Sequence, residues 1–143
     1  MKAAPGATRV LVCALTFCGH MATAAVAQDS GPEAMASELA GDLNALGTEP
    51  FWAVRIRADA VTFSRPGKDD VKSANPGPVT VEGGAVWTVG GGPSPFKLTL
   101  LKAECSDGMS DRNYGFRATL VFDSKTLYGC AASPAAIAAQ PAP

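Results

Sequence analysis

The chain reads as an all-β protein, a small antiparallel β-barrel or sandwich of about seven short strands held by one disulfide. Three observations carry that expectation. Apolar and polar residues alternate in short runs between residues 52 and 130. Gly, Pro and Asp turns separate the runs, and no long helical pattern interrupts them. Two cysteines, Cys105 and Cys130, remain once an amino-terminal export signal is set aside.

That signal is the first element. The chain opens MKAAPGATRVLVCALTFCGHMATAAVAQDS. Lys2 and Arg9 supply a basic start, Val10 to Phe17 a short apolar core, and Ala25-Val26-Ala27 the small residues that a signal peptidase reads. The pattern predicts a signal peptide over residues 1–27. The apolar run is too short to span a bilayer, and neither Cys13 nor Cys18 follows the small residue that a lipoprotein signal requires. Cleavage would leave 116 of the 143 residues; Lys plus Arg falls from 12 to 10 while Asp plus Glu stays at 13, a net charge of −3. Mild acidity offers no basic face to a nucleic acid and no electrostatic attraction to anionic lipid. A chain this long supports one domain with a modest core.

The elements follow in order. Residues 28–46 are rich in Ala, Glu, Asp and Ser, with Met35, Leu39, Leu43 and Leu46 near helical spacing, and read as a linker or short helix. The β domain is expected over 47–131. Trp52, Val54 and Ile56 alternate with Ala53, Arg55 and Arg57, and a turn near Ala58-Asp59 leads to Val61 and Phe63. VTVEGGAVWTV is the clearest hairpin, since Glu82-Gly83-Gly84 supplies the positive φ of a tight turn. GGGPSP breaks the chain; FKLTLLKAEC then places Phe96, Leu98 and Leu100 on one face, with a bulge expected near Leu101. FRATLVFDSKTLYGCA is a last hairpin with Phe116, Ala118, Leu120 and Phe122 facing in and a turn at Asp123-Ser124-Lys125. Residues 132–143, an Ala/Pro tail, are expected to be disordered.

An even cysteine pair in an exported protein reads as a disulfide. Closing a loop of about 26 residues, it is worth about 3–4 kcal/mol in the chain-entropy model. The only histidine, His20, lies in the signal, so a zinc site is not expected, and no metal or cofactor is assigned.

GTEPFW (Gly47 to Trp52), C-S-D-G-M-S-D-x-x-Y (Cys105 to Tyr114) and L-Y-G-C-A (Leu127 to Ala131) together resemble a family of small, uncharacterised bacterial envelope proteins and lipoproteins. Such domains sometimes adjoin META-type domains or domains similar to inhibitors of c-type lysozyme. The resemblance covers residues 47–131 and implies an envelope location without naming an activity. Where the family often has a proline after the tyrosine, this chain has Gly115.

The polar run CSDGMSDRNY is the densest concentration of candidate chemistry. Asp107, Ser110 and Asp111 are hard oxygen ligands of the kind calcium takes, at a spacing unlike an EF-hand. The favoured reading is that the aspartates cap turn amides, with Gly108 left-handed. A braced loop also suits insertion into a partner, with Arg112 and a serine reaching acidic groups. Catalysis is not expected: no histidine base remains and Gly-x-Ser-x-Gly is absent. Trp52 fits a barrel end as well as a ligand. Arg55, Arg57 and Arg117 read as a solvated sheet face, with an anion site as the alternative if the three line up. The reading is therefore a periplasmic or secreted, non-catalytic binding module for a protein or envelope component. Its contact surface is assigned to Glu49, Trp52, Asp107, Ser110, Asp111, Arg112 and Tyr114. Inhibition of c-type lysozyme and small-ligand carriage are the alternatives.

Overall fold

The computed structural model describes residues 31–141, so the expected signal peptide lies outside the described residues. The described chain forms helix α1 (Pro32–Ala40) and strands β1 (Leu43–Thr48), β2 (Phe51–Ile56), β3 (Ala60–Ser64), β4 (Val71–Ala74) and β5 (Val79–Val81). Strands β6 (Gly84–Val89), β7 (Phe96–Cys105), β8 (Tyr114–Phe122) and β9 (Lys125–Ala132) follow, then helix α2 (Pro134–Ala138). The nine strands make one sheet in the order β4-β3-β2-β1-β9-β8-β7-β6-β5. Every ladder is antiparallel.

Strand directions explain the curl. With all ladders antiparallel, β4 and β5, at opposite edges of the sheet, must run the same way. Residues 75–78 alone join them, and four residues span at most about 17 Å. A parallel crossover needs a dozen residues or more. The segment 71–81 is therefore one extended stave that pairs with β3 in its first half and β6 in its second, drawing the two edges together. Asn75-Pro76-Gly77-Pro78 marks the break, because neither proline has an amide to donate. Asn75 fixes the crossing: its amide donates to the Asp59 carbonyl (3.0 Å) and its side chain to the Arg57 carbonyl (2.8 Å). Counted this way the barrel-like sheet has eight staves, a size whose interior side chains fill.

The interior is filled accordingly. Trp87, Phe63, Phe116, Leu98, Leu100, Leu120, Val54 and Val61 are fully buried. They fall on alternate positions, as the pleat requires. Helix α1 covers the end where β1 and β8 begin: Leu39 is buried, Met35 packs on the core, and Glu38 accepts from Lys102 at 2.7 Å. At the other end the Arg65 guanidinium lies 4.8 Å and 4.4 Å from the Phe63 and Phe122 ring centres.

The expected turns at 58–59, 82–83 and 123–124 are present. Gly83 has φ +73°, and Asp123 and Ser124 both have positive φ (48° and 59°), so the 123–124 turn is the mirror-image kind that suits strand twist. The strand count is nine rather than seven: β1 and β4 were not expected. β1 lies partly in the segment read as a linker or helix, because Leu39, Leu43 and Leu46 satisfy a helical spacing by coincidence across Gly41. Strand β4 is a half-exposed edge, VKSA, with too little apolar pattern to show. The bulge falls between Lys102 and Cys105, slightly later than Leu101. Within the Ala/Pro segment, Ser133 caps α2 by accepting from Ala136 N (3.1 Å), and Gln140 exchanges two hydrogen bonds with the Asn113 backbone. No helix among the described residues is long and apolar enough to cross a membrane.

Candidate functional site

Residues 106–113 form a strap on the outside of the barrel. Ala45 pairs with Ala131, both facing the core, so the neighbouring pair Leu46 and Cys130 faces out. There Leu46, Cys130, Ala132, Cys105, Tyr114 and Ile137 of α2 make a second, small apolar cluster. The Cys105–Cys130 disulfide, with Cα atoms 5.6 Å apart, runs through it. It joins β7 to β9, which are separated in the sheet by β8. Alternate strands of a flat ladder lie about 9–10 Å apart, so the end of β7 must fold over the start of β8. The bulge after Lys102 marks this departure. Beyond it the strap climbs the outer face, and Thr48 Oγ1 donates to the Asp107 carbonyl at 3.4 Å.

Asp107 organises the strap. Its Oδ1 accepts from Met109 N (2.9 Å) and Ser110 N (2.8 Å), and its Oδ2 accepts from Ser110 Oγ (2.9 Å) and the Tyr114 hydroxyl (2.9 Å). Desolvation acts to raise the Asp107 pKa, but these four donors outweigh it and hold the carboxyl at about 2 instead of 3.8. Burial, and then the hydrogen bond to Asp107, push the Tyr114 hydroxyl pKa up. Gly108 takes the left-handed conformation expected of it, φ +71°. Both oxygens of Asp107 are thus occupied by protein donors, the arrangement of a capped turn. Among the described residues no three His, Cys, Asp or Glu side chains gather as metal ligands would.

The residues assigned to the contact surface divide. Asp107, Ser110 and Tyr114 form one network, turned inward on the strap itself. Arg112 is half-buried, with no partner for its Nε among the described residues. Asp111 and Glu49 are exposed, and Glu49 makes no ion pair with Arg112. Trp52 is buried, and its indole nitrogen lies where a side chain on Gly47 would have to go. GTEPFW therefore has a packing reason: directly opposite Trp52 in the ladder, only glycine fits. Gly129 of LYGCA likewise faces the Leu46 carbonyl so closely that no Cβ fits. Of the three arginines, Arg55 pairs with Asp70 (2.8 Å) and Arg57 with Asp42 (3.5 Å), while Arg117 pairs with no acid among the described residues.

The exposed features beside the strap are apolar, and sequence reasoning missed most of them. Met109 at its tip is 69% exposed, Phe51 54%, Tyr128 70% and Leu101 42%. Two grooves flank the strap. One, of about 560 Å³, runs over β7, β8 and β9 and includes Leu101, Arg117, Thr119 and Tyr128. The other, of about 440 Å³, lies between Met109, Phe51 and Pro66. Leu46, Gly47, Thr48 and Asp107 border both. Phe51 could have been found from strand parity alone, since it adjoins Trp52, which faces the core; Arg117 is already legible in the alternation. No protein-family model, curated protein or solved structure matches this chain.

Proposed function

We propose that this chain is an exported, non-catalytic binding module of the bacterial envelope, and that it binds through the outer face beside the strap. The observation that carries this reading is the gathering of Phe51, Met109, Tyr128 and Leu101, all exposed, around a strap whose Asp107 and Ser110 side chains are bonded internally. Clustered apolar exposure marks an interaction site. The strap is braced by a disulfide and four hydrogen bonds to one carboxylate, so little ordering opposes binding. The reading differs from the sequence-based one in which residues make contact: Met109 replaces Asp107 and Ser110 at the surface. A disulfide also suits an oxidising compartment, in keeping with a periplasmic or secreted location. Lysozyme inhibition draws less support, because the Ser110 hydroxyl donates to Asp107.

A photo-crosslinking residue placed at Met109 tests the proposal against the same residue at Thr80, which is exposed on β5. In cells exporting the full chain, a discrete adduct from position 109 and none from 80 is expected. Identical patterns from both positions overturn the assignment of the binding face.

A further inference from the structure

Arg117 is the one cation that lines the larger groove, and like Lys97, Arg112 and other cations it makes no ion pair among the described residues. Arg55, Arg57 and Lys102 each have a carboxylate within ion-pair distance, and Arg117 has none among the described residues. Its cross-strand neighbours are Leu101 on β7 and Cys130 on β9, neither of which bears charge. Asp107 borders the same groove as an ionised carboxylate, but its oxygens are engaged by four protein donors and it makes no ion pair with Arg117. An unpaired planar cation with five donors is suited to a carboxylate.

The surroundings narrow the ligand further. Thr119 faces Tyr128 directly across the β8–β9 ladder, placing a hydroxyl and an exposed aromatic ring one step along β8 from Arg117. Leu101 supplies the facing apolar wall. The floor strands are internal to the sheet, with both edges already paired. A partner strand therefore has no backbone to add to, and recognition must pass through side chains. At about 560 Å³ the groove has the capacity of a small-molecule site.

We propose that the groove between Leu101 and Tyr128 binds a monomeric amphiphilic carboxylate, with the carboxylate on Arg117 and the apolar body between the leucine and the tyrosine ring. This deepens the reading of the outer face as a binding surface and rests on it. The carboxylate makes a charge-assisted pair with the guanidinium; Thr119 is placed to donate to the second oxygen. The apolar body covers side chains that are now in water.

The test is an amide-NMR titration of the full-length, disulfide-bonded chain with sodium decanoate below its micellisation concentration, with decanol as the uncharged probe. Expected are saturable shifts at Leu101, Arg117, Thr119 and Tyr128. Affinity should be about tenfold weaker for decanol, and about tenfold weaker for decanoate with Arg117→Gln. Tyr128→Ser should also weaken decanoate, and spectra of both variants away from the groove should match the parent, excluding misfolding. Equal decanoate affinity in parent and Arg117→Gln overturns the proposal, as do shifts confined to Phe51 and Met109. If decanoate fails while crosslinking at Met109 gives its adduct, the ligand class falls and the binding face stands. If decanoate binds as expected and no adduct forms at Met109, the broader reading fails on the Met109 side alone.

Discussion

The inside of the barrel and the cluster under the strap are both apolar, yet they are assembled in different ways. Inside, Trp87, Phe63, Phe116 and their neighbours are supplied by alternation along the strands and by a stave that draws the edges together. Outside, only Leu46, Cys105, Tyr114, Cys130, Ala132 and Ile137 meet. Too little area is buried there to order eight residues of strap, since each ordered residue costs about 1–2 kcal/mol of backbone entropy. A covalent bond and one multiply bonded carboxylate supply what packing does not. The inner region should thus respond to lost volume as a unit, and the outer one to lost tethers locally.

Phe116→Ala is expected to have the largest effect. It empties a fully buried site and removes the ring beneath Lys102, which lies 4.6 Å away and carries the ion pair to α1. A loss of about 3–5 kcal/mol is expected, a large share of a small domain's stability. Urea unfolding should show one transition moved to lower denaturant, with the barrel and strap melting together. Two separate transitions would break the comparison, since the interior would then not be a single unit. Replacing both Cys105 and Cys130 by Ser should cost about 3–4 kcal/mol in the chain-entropy model. Here hydrogen exchange sharpens the contrast. Before global unfolding, amides of 106–113 should exchange faster while those of β6 to β8 remain protected. Uniform acceleration through the barrel would mean that the staple serves the core as much as the strap.

The legibility of the molecule follows the same divide. The inner face was readable because burial imposes a period of two, so Trp52, Val54, Ile56, Leu98 and Leu120 declare themselves. The disulfide was readable from compartment and parity. Strand β1 was not, because LNALGT has a near-helical leucine spacing and two small residues. Its strand character comes from pairing with β2 and β9, a long-range condition. Of the closing stave 71–81 only the second half showed, as the VTV arm of a hairpin; β4 is half-exposed and β5 exposed throughout, and the stave as a whole is defined by which edges it bridges. At the site, the turn-capping role of Asp107 was legible in DGMSD, and its donors Met109 N, Ser110 N and Ser110 Oγ are local. The outward Met109, and the grooves on either side of it, depend on the strap crossing β8, which no local pattern encodes.

Asp107→Asn should have the smallest effect, and it isolates charge from shape. Asparagine keeps an oxygen for the amides of Met109 and Ser110, but its other atom is an amide nitrogen facing the hydroxyls of Ser110 and Tyr114. Those hydroxyls can rotate to accept instead, so the fold persists at a cost of about 1 kcal/mol. The folded carboxyl titrates at about 2 against an ordinary 3.8. Its contribution is therefore complete above pH 3.8, declines below that, and is gone once pH falls past about 2. Discounted for partial solvent contact, the contribution is about 1–2 kcal/mol. Urea midpoints taken between pH 5 and pH 2 should fall more steeply for the parent than for Asp107→Asn, and the two curves should approach each other at the acid end. Parallel curves would show that the charge on Asp107 adds nothing to the turn, leaving the disulfide and Thr48 as the tethers of the strap.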